Sequence, residues 1–288
     1  METLLFQGLV GLSGAMYLWL VSAGLTLIFG VLRVLNFAHG SLYMLGAYFT
    51  LTLVTTLHQD FWSALIVGAL GVSIIGITLE RLCLRPVYRL AIAYQLLLTF
   101  AFVLIFDDLV KIVWGPIYQV PPMPAALQGS IRVLGRAYPT YNLFIVAAGC
   151  VVALVLWAVF DRTRWGKLVR AAASDREMAA ALGINVPLLF AEVFAFGAAL
   201  AGLGGALTVP VETVSPGMGE AIIIDAFIVV VIGGLGNLWG AFVGALLIGV
   251  LRAYGTFFLP QFDLALAFIL MAIVLIWRPA GLFGGQAV

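Results

Sequence analysis

The chain has 288 residues, of which 64% are hydrophobic and 9% are charged, with a formal net charge of +1 and a mean hydropathy of +1.17. This composition excludes a water-soluble globule of the same length, because it supplies too little polar surface to cover one. It also argues against a nucleic-acid partner, since the charge is close to zero and no Lys/Arg cluster alternates with aromatic residues.

The apolar runs predict an all-α integral membrane protein whose residues 1–288 form one transmembrane domain. Glu2 stands where a secretory signal carries basic residues, which indicates a retained first span. A helix that crosses a bilayer needs about 20 mostly apolar residues, so we predict about nine spans within a range of about eight to ten. The candidate spans are residues 4–28, 34–57, 61–80, 94–113, 142–160, 188–209, 222–235, 238–257 and 262–277.

Polar residues interrupt the chain between the first two spans, in the sequence RVLNFAHGSLYMLGAY of residues 33–48. In lipid every freed backbone group must find a partner, so such a break is tolerated only where protein or a wet cavity surrounds it. Broken helices also present half-helix ends to ligands, and the positive N-terminal end suits a carboxylate. The residues predicted to line a substrate pathway here are Asn36, Phe37, His39, Gly40 and Ser41. The alternative makes Asn36 an N-cap of a helix beginning near Ala38, and His39 a hydrogen-bonded residue between helices.

A second interruption has a similar pattern, in the sequence VIGGLGNLWGAFVGALLIG from Val231 to Gly249. Matching interruptions in the two halves of a transporter sequence indicate a binding site near the membrane midplane. We therefore add Gly233, Gly234 and Asn237 to the predicted substrate pathway.

Residues 161–187 form the longest predicted loop rich in basic residues, and this loop contains a short helix of its own. Ser174 to Glu177 read Ser-Asp-Arg-Glu, which fits a capping box with a hydroxyl first and a glutamate three residues later. Good helix formers follow, and Gly183 is suited to end the helix. Two interpretations stay open: a solvated loop helix, or a docking element whose small alanine face lets a partner approach closely.

The loop over residues 114–141 is rich in Pro and Gly and predicts a small hairpin, made by SIRV and the following LGRAY. It either receives a soluble partner or forms a rigid cap.

The basic residues predict the orientation of the chain, because loops on the cytoplasmic side of a membrane are enriched in Lys and Arg. Alternating spans put most of them on one side: Arg33, Arg81, Arg85, Arg89, Arg162, Arg164, Lys167, Arg170, Arg176 and Arg278. The opposite loops hold His58, Asp60, Glu212, Glu220 and Asp263, with Lys111, Arg132 and Arg136 as basic exceptions. The N-terminus is then outside and the C-terminus in the cytoplasm.

Several ordered segments resemble the membrane permease subunits of branched-chain amino acid ABC importers, of the LivH type. They are NFAHGSLYMLGAY, RTRWGKLVRAAASDREMAAALGIN, FGAALAGLGGAL, VVVIGGLGNLWGAFVGALLIG and IWRPAGLFG, and the likeness runs along nearly the whole chain. The resemblance implies a type II ABC importer fold in a bacterial inner membrane. It also implies four kinds of partner: the lipid bilayer, a second related permease in a heterodimer, two cytoplasmic ATPases and a periplasmic substrate-binding protein.

In such a complex, residues 161–187 are the cytoplasmic coupling loop. The resemblance places ATPase coupling on Gly166, Arg170, Asp175, Ala179 and Gly183, and the capping box adds Ser174 and Glu177. The break at Asn36 to Ser41 then falls beside the translocation pathway. Members of this family also carry urea, amides and other amino acids, so urea or a short amide is the alternative substrate.

The chain contains no GxxxxGK[ST] phosphate-binding sequence, so we expect no enzyme activity and no cofactor on this chain, with ATP and magnesium held by the partner ATPases. A metal site is not predicted, because His39 and His58 lack metal-ligand spacing. An ion-coupled secondary transporter is the other rival, and such transporters keep ionisable residues inside the membrane. The candidates for that role, Asp107, Asp108, Glu192 and Asp225, all fall near the ends of predicted spans, which argues against it.

Overall fold

Long apolar helices make up most of the chain in the computed structural model, which describes residues 2–121, 123–133 and 135–284. The helices are α1 (Glu2–Leu32), α2 (His39–Thr55), α3 (Phe61–Leu79), α4 (Arg85–Val87), α5 (Ile92–Trp114), α6 (Thr140–Trp157), α7 (Arg164–Ser174), α8 (Arg176–Ala181), α9 (Val186–Thr208), α10 (Met218–Gly233), α11 (Leu238–Phe258) and α12 (Asp263–Trp277). Two π-helical turns follow α3 and α6, at Glu80–Leu84 and Ala158–Arg162, and two 3-10 turns lie at Ala125–Leu127 and Pro260–Phe262.

Each predicted span corresponds to one of these helices, so the all-α membrane fold is confirmed. Among the described residues, five stretches are long and apolar enough to cross a bilayer: Glu2–Leu32, Phe61–Val87, Thr140–Arg162, Val186–Thr208 and Leu238–Phe258. Three of the helices that match predicted spans are shorter than a bilayer needs: α2 with 17 residues, α10 with 16 and α12 with 15. Of these, α2 and α10 belong to segments that enter the protein without crossing it as continuous helix.

The predicted hairpin is present, with β1 (Ser130–Val133) antiparallel to β2 (Arg136–Pro139). Leu134, which the sequence assigned to the second strand, lies outside the described residues. The hairpin packs over the start of α1, where the Tyr138 hydroxyl donates to the Leu9 carbonyl at 2.9 Å. We call this end of the molecule the hairpin end.

The opposite end of α1 meets the predicted coupling loop. The Arg176 guanidinium donates from Nη2 to the carbonyls of Val31 and Leu32, at 3.1 and 2.6 Å. We call this end, which also carries Arg33, α7 and α8, the basic end.

Helix α1 forms the centre of the bundle and is buried along most of its length from Gly11 onward. Helix α11 lies antiparallel to it, since the Tyr254 hydroxyl donates to the Leu4 carbonyl at 2.9 Å and Gly236 approaches Gly30 at the basic end. Close contacts between glycines bring backbones together, because packing in lipid relies on small residues and van der Waals contact. At the α2–α9 contact, a Cβ on Gly46 would lie 2.5 Å from the Gly202 Cα.

A buried carboxylate fixes the basic end of α3. The Glu80 side chain is fully buried and accepts hydrogen bonds from Arg85 Nη2 at 2.8 Å and from the Tyr88 hydroxyl at 3.1 Å. Arg85 Nη2 also donates to the Pro187 carbonyl at 2.7 Å, which ties this turn to α9.

Candidate functional site

The first predicted break is real and is buried inside the protein. The described residues 33–38 belong to no helix or strand, and within them Val34, Asn36 and Ala38 are buried. Helix α2 begins at His39, whose Nε2 lies 3.0 Å from the Val21 carbonyl. Val21 lies about 16 Å from the Leu32 end of α1, at 1.5 Å per residue. The chain therefore returns deep into the bundle before α2 begins.

The structure separates the alternatives for the polar residues of this break. Asn36 does not cap α2: Ala38 precedes the helix and makes no side-chain cap. Asn36 is 1% exposed, and neither of its side-chain polar atoms has a hydrogen-bond partner in the described part of the chain. His39 does bridge helices, and because a carbonyl only accepts, its Nε2–H donates to Val21. Phe37 packs on the Phe227 ring of α10, with centroids 5.0 Å apart.

A further re-entrant segment, which was not predicted, faces this break. After α9 ends at Thr208, residues 209–217 turn back into the bundle, and α10 begins after Gly217 at a φ of 84°. The first turn of α10 lies against the first turn of α2, where a Cβ on Gly219 would be 2.5 Å from the Gly40 carbonyl oxygen. Two helix N-termini therefore meet inside the molecule. The available sequence signal was Pro210 and the pair Pro216-Gly217.

The second predicted break lies at a different depth from the first. Asn237 caps α11, accepting from the Gly240 N–H at 2.8 Å, and its Nδ2 donates to the Phe283 carbonyl at 3.3 Å. Gly233 and Gly234 precede it, and Gly236 approaches Gly30 of α1. This level is roughly 13 Å along α1 from that of Val21. The structure therefore does not bring Gly233, Gly234 and Asn237 together with His39.

A cavity of about 380 Å³ lies towards the hairpin end, beside the meeting point of α2 and α10. Its lining comprises Val10, Gly11, Gly14, Tyr17, Leu18, Tyr43, Glu212, Met218, Ala221, Ile222, Asp225, Gly249, Arg252, Ala253 and Thr256. Arg252 Nη1 lies 2.6 Å from Asp225 Oδ2, so we call this space the ion-pair cavity. The Tyr43 hydroxyl and Thr208 Oγ1, 3.0 Å apart, share a hydrogen bond at its edge.

The expectation that Asp225 lies near the end of a span is wrong. Asp225 sits midway along α10 and is buried, because α10 begins earlier than the apolar run indicated. Arg252, on α11, was not identified as a site residue. Glu212 reaches the same cavity from the re-entrant segment.

The predicted docking helix is present as α8, but its cap differs. Ser174 is the last residue of α7, and the Asp175 carboxylate accepts from the Met178 N–H at 3.0 Å, so Asp175 is the N-cap. Gly183 follows the helix at a φ of 86°, as its type predicts. Helix α7 was not predicted; it is capped by Thr163, whose hydroxyl accepts from the Gly166 N–H at 3.1 Å.

The predicted coupling residues divide between the surface and the interior. Gly166 packs against Phe160, Ala179 is buried, and Arg170 bonds the Phe160 carbonyl. The exposed members of the predicted set are Ser174, Asp175, Glu177 and Gly183. Two apolar side chains outside the predicted set are also exposed here, Met178 at 58% and Leu182 at 75%. Their spacing of four residues, on one face of a helix, was the available signal.

The chain matches a known protein family. The family model described as "Branched-chain amino acid transport system / permease component" matches residues 9–276. The chain is 32% identical to the high-affinity branched-chain amino acid transport system permease protein BraD of Pseudomonas aeruginosa, over 92% of this chain and 91% of that protein. It is 28% identical to the corresponding permease protein LivH of Escherichia coli K12, over 92% and 90%.

Among solved structures, a chain of PsaBC from Streptococcus pneumoniae in complex with Fab aligns with a TM-score of 0.50. The alignment covers 95% of this chain and 92% of that chain at 12% identity. At this identity, the likeness supports the fold alone.

Proposed function

Because the chain belongs to the family of permease components of branched-chain amino acid transport systems, we propose that it moves branched-chain or related amino acids through a membrane. It is the permease subunit of an ABC importer, a transport protein rather than an enzyme. The observation that carries this conclusion is the family match over residues 9–276. Urea or a short amide is the alternative cargo.

The energy source in this proposal is a pair of partner ATPases that hold ATP and magnesium and dock at the basic end. Met178 on α8 and Leu182 directly after it support this, because exposed apolar side chains that lie next to each other mark surfaces for protein partners. We propose that Ser174, Asp175, Glu177 and Gly183 surround the docking surface, while Gly166, Arg170 and Ala179 hold α7 and α8 on the bundle.

The orientation follows from the same docking surface. We propose that the basic end faces the cytoplasm of a bacterial inner membrane, since Lys and Arg are enriched on that side. The hairpin end then faces the periplasm and is available to a substrate-binding protein. The exposed apolar faces of α5 and α12, such as Ile112 and Ile276, are suited to lipid or to a second, related permease.

The pathway in this proposal runs past the meeting point of α2 and α10. Asn36, Phe37, His39, Gly40 and Ser41 lie beside it, and Gly233, Gly234 and Asn237 lie closer to the cytoplasmic exit. Support comes from the two helix N-termini, whose partial positive charges favour a passing carboxylate.

The docking assignment is tested by Leu182→Asp, combined in a second variant with Met178→Asp. We expect the ATPases to be lost from the purified complex, because a carboxylate in an apolar contact costs several kcal/mol unless paired. Asp175→Arg removes the cap of α8 and should have the same effect. Leu57→Asp, at an exposed position of the hairpin end, should leave co-purification unchanged.

The same preparations test the proposed function itself. Reconstituted wild-type complex should take up leucine only when ATP and the binding protein are supplied. Leucine uptake driven by an ion gradient without ATPases would instead establish a secondary transporter, and uptake of urea with no uptake of leucine would establish the alternative cargo.

Asn36→Leu tests the pathway assignment, because stability and transport should respond in opposite directions. A buried amide without a partner costs free energy, so leucine at this position should leave the melting temperature unchanged or raise it. Transport of leucine should nevertheless fall. For comparison, Asn185→Leu removes a helix cap, a 3.1 Å bond from the Leu188 N–H, and should cost about 1 kcal/mol of stability. Full transport by Asn36→Leu would contradict the assignment.

A further inference from the structure

The ion-pair cavity lies inside the membrane-spanning part of a transport protein and contains both signs of charge. We propose that it binds the charged backbone groups of the transported amino acid, with Arg252 taking the carboxylate, and Asp225 and Glu212 taking the ammonium. This inference rests on the proposed function, and it makes the cargo a zwitterionic α-amino acid rather than urea or an amide.

Stabilisation of the fold does not account for the ion pair of Asp225 and Arg252. Asp225 is buried, and Arg252 Nη1 lies 2.6 Å from its carboxylate. Removing two charges from water costs about as much as their attraction returns, and apolar residues of similar size often stabilise as well or better. Ionisable residues inside membrane segments are rare and generally mark a ligand or ion pathway. We therefore expect the ion pair to have a function in addition to joining α10 to α11.

The site is open to a ligand. The Arg252 side chain is 32% exposed, and the cavity beside it has a volume of about 380 Å³. That volume falls within the range of about 300–1,000 Å³ typical of small-molecule sites. A free amino acid is among the smallest ligands that such a space accommodates.

The cavity wall contains both charged and apolar groups. The charged groups enter from three elements: Asp225 from α10, Arg252 from α11 and Glu212 from the re-entrant segment. Apolar side chains line the cavity as well, namely Val10, Leu18, Met218, Ala221, Ile222 and Ala253, beside the hydroxyl groups of Tyr17, Tyr43 and Thr256. The charged groups are suited to the ammonium and carboxylate of a free amino acid, and the apolar groups to an aliphatic side chain.

A bound zwitterion can replace the contact between Asp225 and Arg252 with two contacts to itself. No charge is then left unpaired. The planar guanidinium of Arg252 is suited to two parallel hydrogen bonds to a carboxylate. Asp225, released from Arg252, then accepts from the ammonium group together with Glu212. The ligand is neutral overall, so the net charge of the cavity stays constant. Urea carries no charges and offers no such exchange.

The test uses the complete importer, reconstituted with its binding protein and ATPases, and leucine as the substrate. Arg252→Gln and Asp225→Asn should each reduce leucine uptake about tenfold or more, because each leaves one charge of a close pair in the cavity without its partner. The double variant Asp225→Asn/Arg252→Gln keeps a neutral hydrogen-bonded pair, so it should assemble with the ATPases. Its uptake should remain low. Recovery of uptake in the double variant would show that the pair is only a structural clamp and would overturn the proposal.

A matched control separates this result from a general effect of neutralising an ion pair. Lys111 Nζ lies 2.5 Å from Asp107 Oδ2 on α5, away from the cavity lining. Lys111→Gln/Asp107→Asn should transport leucine within about twofold of the wild type, because this partly exposed pair lies outside the cavity. A wild-type complex that moves no amino acid would refute the proposed function, whereas wild-type uptake with unaffected cavity variants would refute this inference alone.

A second measurement does not depend on whether the charge variants fold. Ala221→Cys, in a chain with Cys83 and Cys150 replaced by serine, places a thiol in the lining of the cavity. Leucine should slow the modification of this thiol by a water-soluble thiosulfonate, and urea at the same concentration should not. Equal rates with and without leucine would overturn the proposal.

Discussion

Gly46→Leu should abolish folding, and Gly46→Ala should destabilise the protein although alanine is the better helix former. A Cβ at position 46 would lie 2.5 Å from the Gly202 Cα, and the atom it meets is backbone, which does not rotate away. The α2–α9 contact must then widen, at a cost of about 1–3 kcal/mol for alanine. This exceeds the gain in helix propensity of about 1 kcal/mol. The measurement is the monodisperse fraction in detergent and its melting temperature.

Gly14→Ala is the control for this prediction. Gly14 is also helical, but a Cβ there would lie 3.7 Å from the Tyr17 hydroxyl, an ordinary contact. Alanine at position 14 should therefore leave the melting temperature unchanged or raise it slightly. Equal melting temperatures for the two alanine variants would contradict the close α2–α9 contact.

Arg176→Ala should uncouple transport from ATP hydrolysis. Arg176 is the only residue of α8 for which the described part of the chain records side-chain hydrogen bonds to α1. It donates to the Val31 and Leu32 carbonyls and its guanidinium lies 4.8 Å from the centroid of the Phe190 ring of α9. Movement of α8 is therefore transmitted to the end of α1, next to the re-entrant break at Arg33. Without this link, the ATPases should still bind and hydrolyse ATP.

The measurement is leucine uptake per ATP hydrolysed in proteoliposomes. We expect that ratio to fall about tenfold in Arg176→Ala, equivalent to about 1.4 kcal/mol of lost coupling. Arg164→Ala removes the same side chain from an exposed position of α7 and should leave the ratio unchanged. A wild-type ratio in Arg176→Ala would show that the movement of α8 is not transmitted to α1 through Arg176.

The sequence predicted correctly those features that depend on residues close together in the chain. A segment in hydrocarbon must satisfy its own backbone as a helix of sufficient length, so apolar runs predict helices. Gly183 ends α8 as expected, because a positive φ favours glycine. The capping box assigned the cap to Ser174, but the Asp175 N–H bonds the Ala171 carbonyl, so α7 extends through Ser174 and the next residue caps α8.

The sequence did not indicate how deep in the bundle each segment lies. The apolar run predicts that the seventh span starts at Ile222, which places Asp225 within one turn of its end. The true start at Met218 depends on the contact of Gly219 with Gly40, which joins residues far apart in the chain. The same limit explains why Gly233 to Asn237, with a pattern like that of Asn36 to Ser41, lies at the basic end.

The sequence by itself determined that this is a helical membrane protein, that the chain breaks after Arg33, and that a capped helix follows residue 174. Composition, apolar length and capping involve only neighbours in the chain, so the sequence contains them directly. Only the tertiary structure decided that the N-termini of α2 and α10 meet and that Asp225 pairs with Arg252. Those results depend on which helices contact one another and in what register, and in lipid that choice rests on close packing between distant small residues.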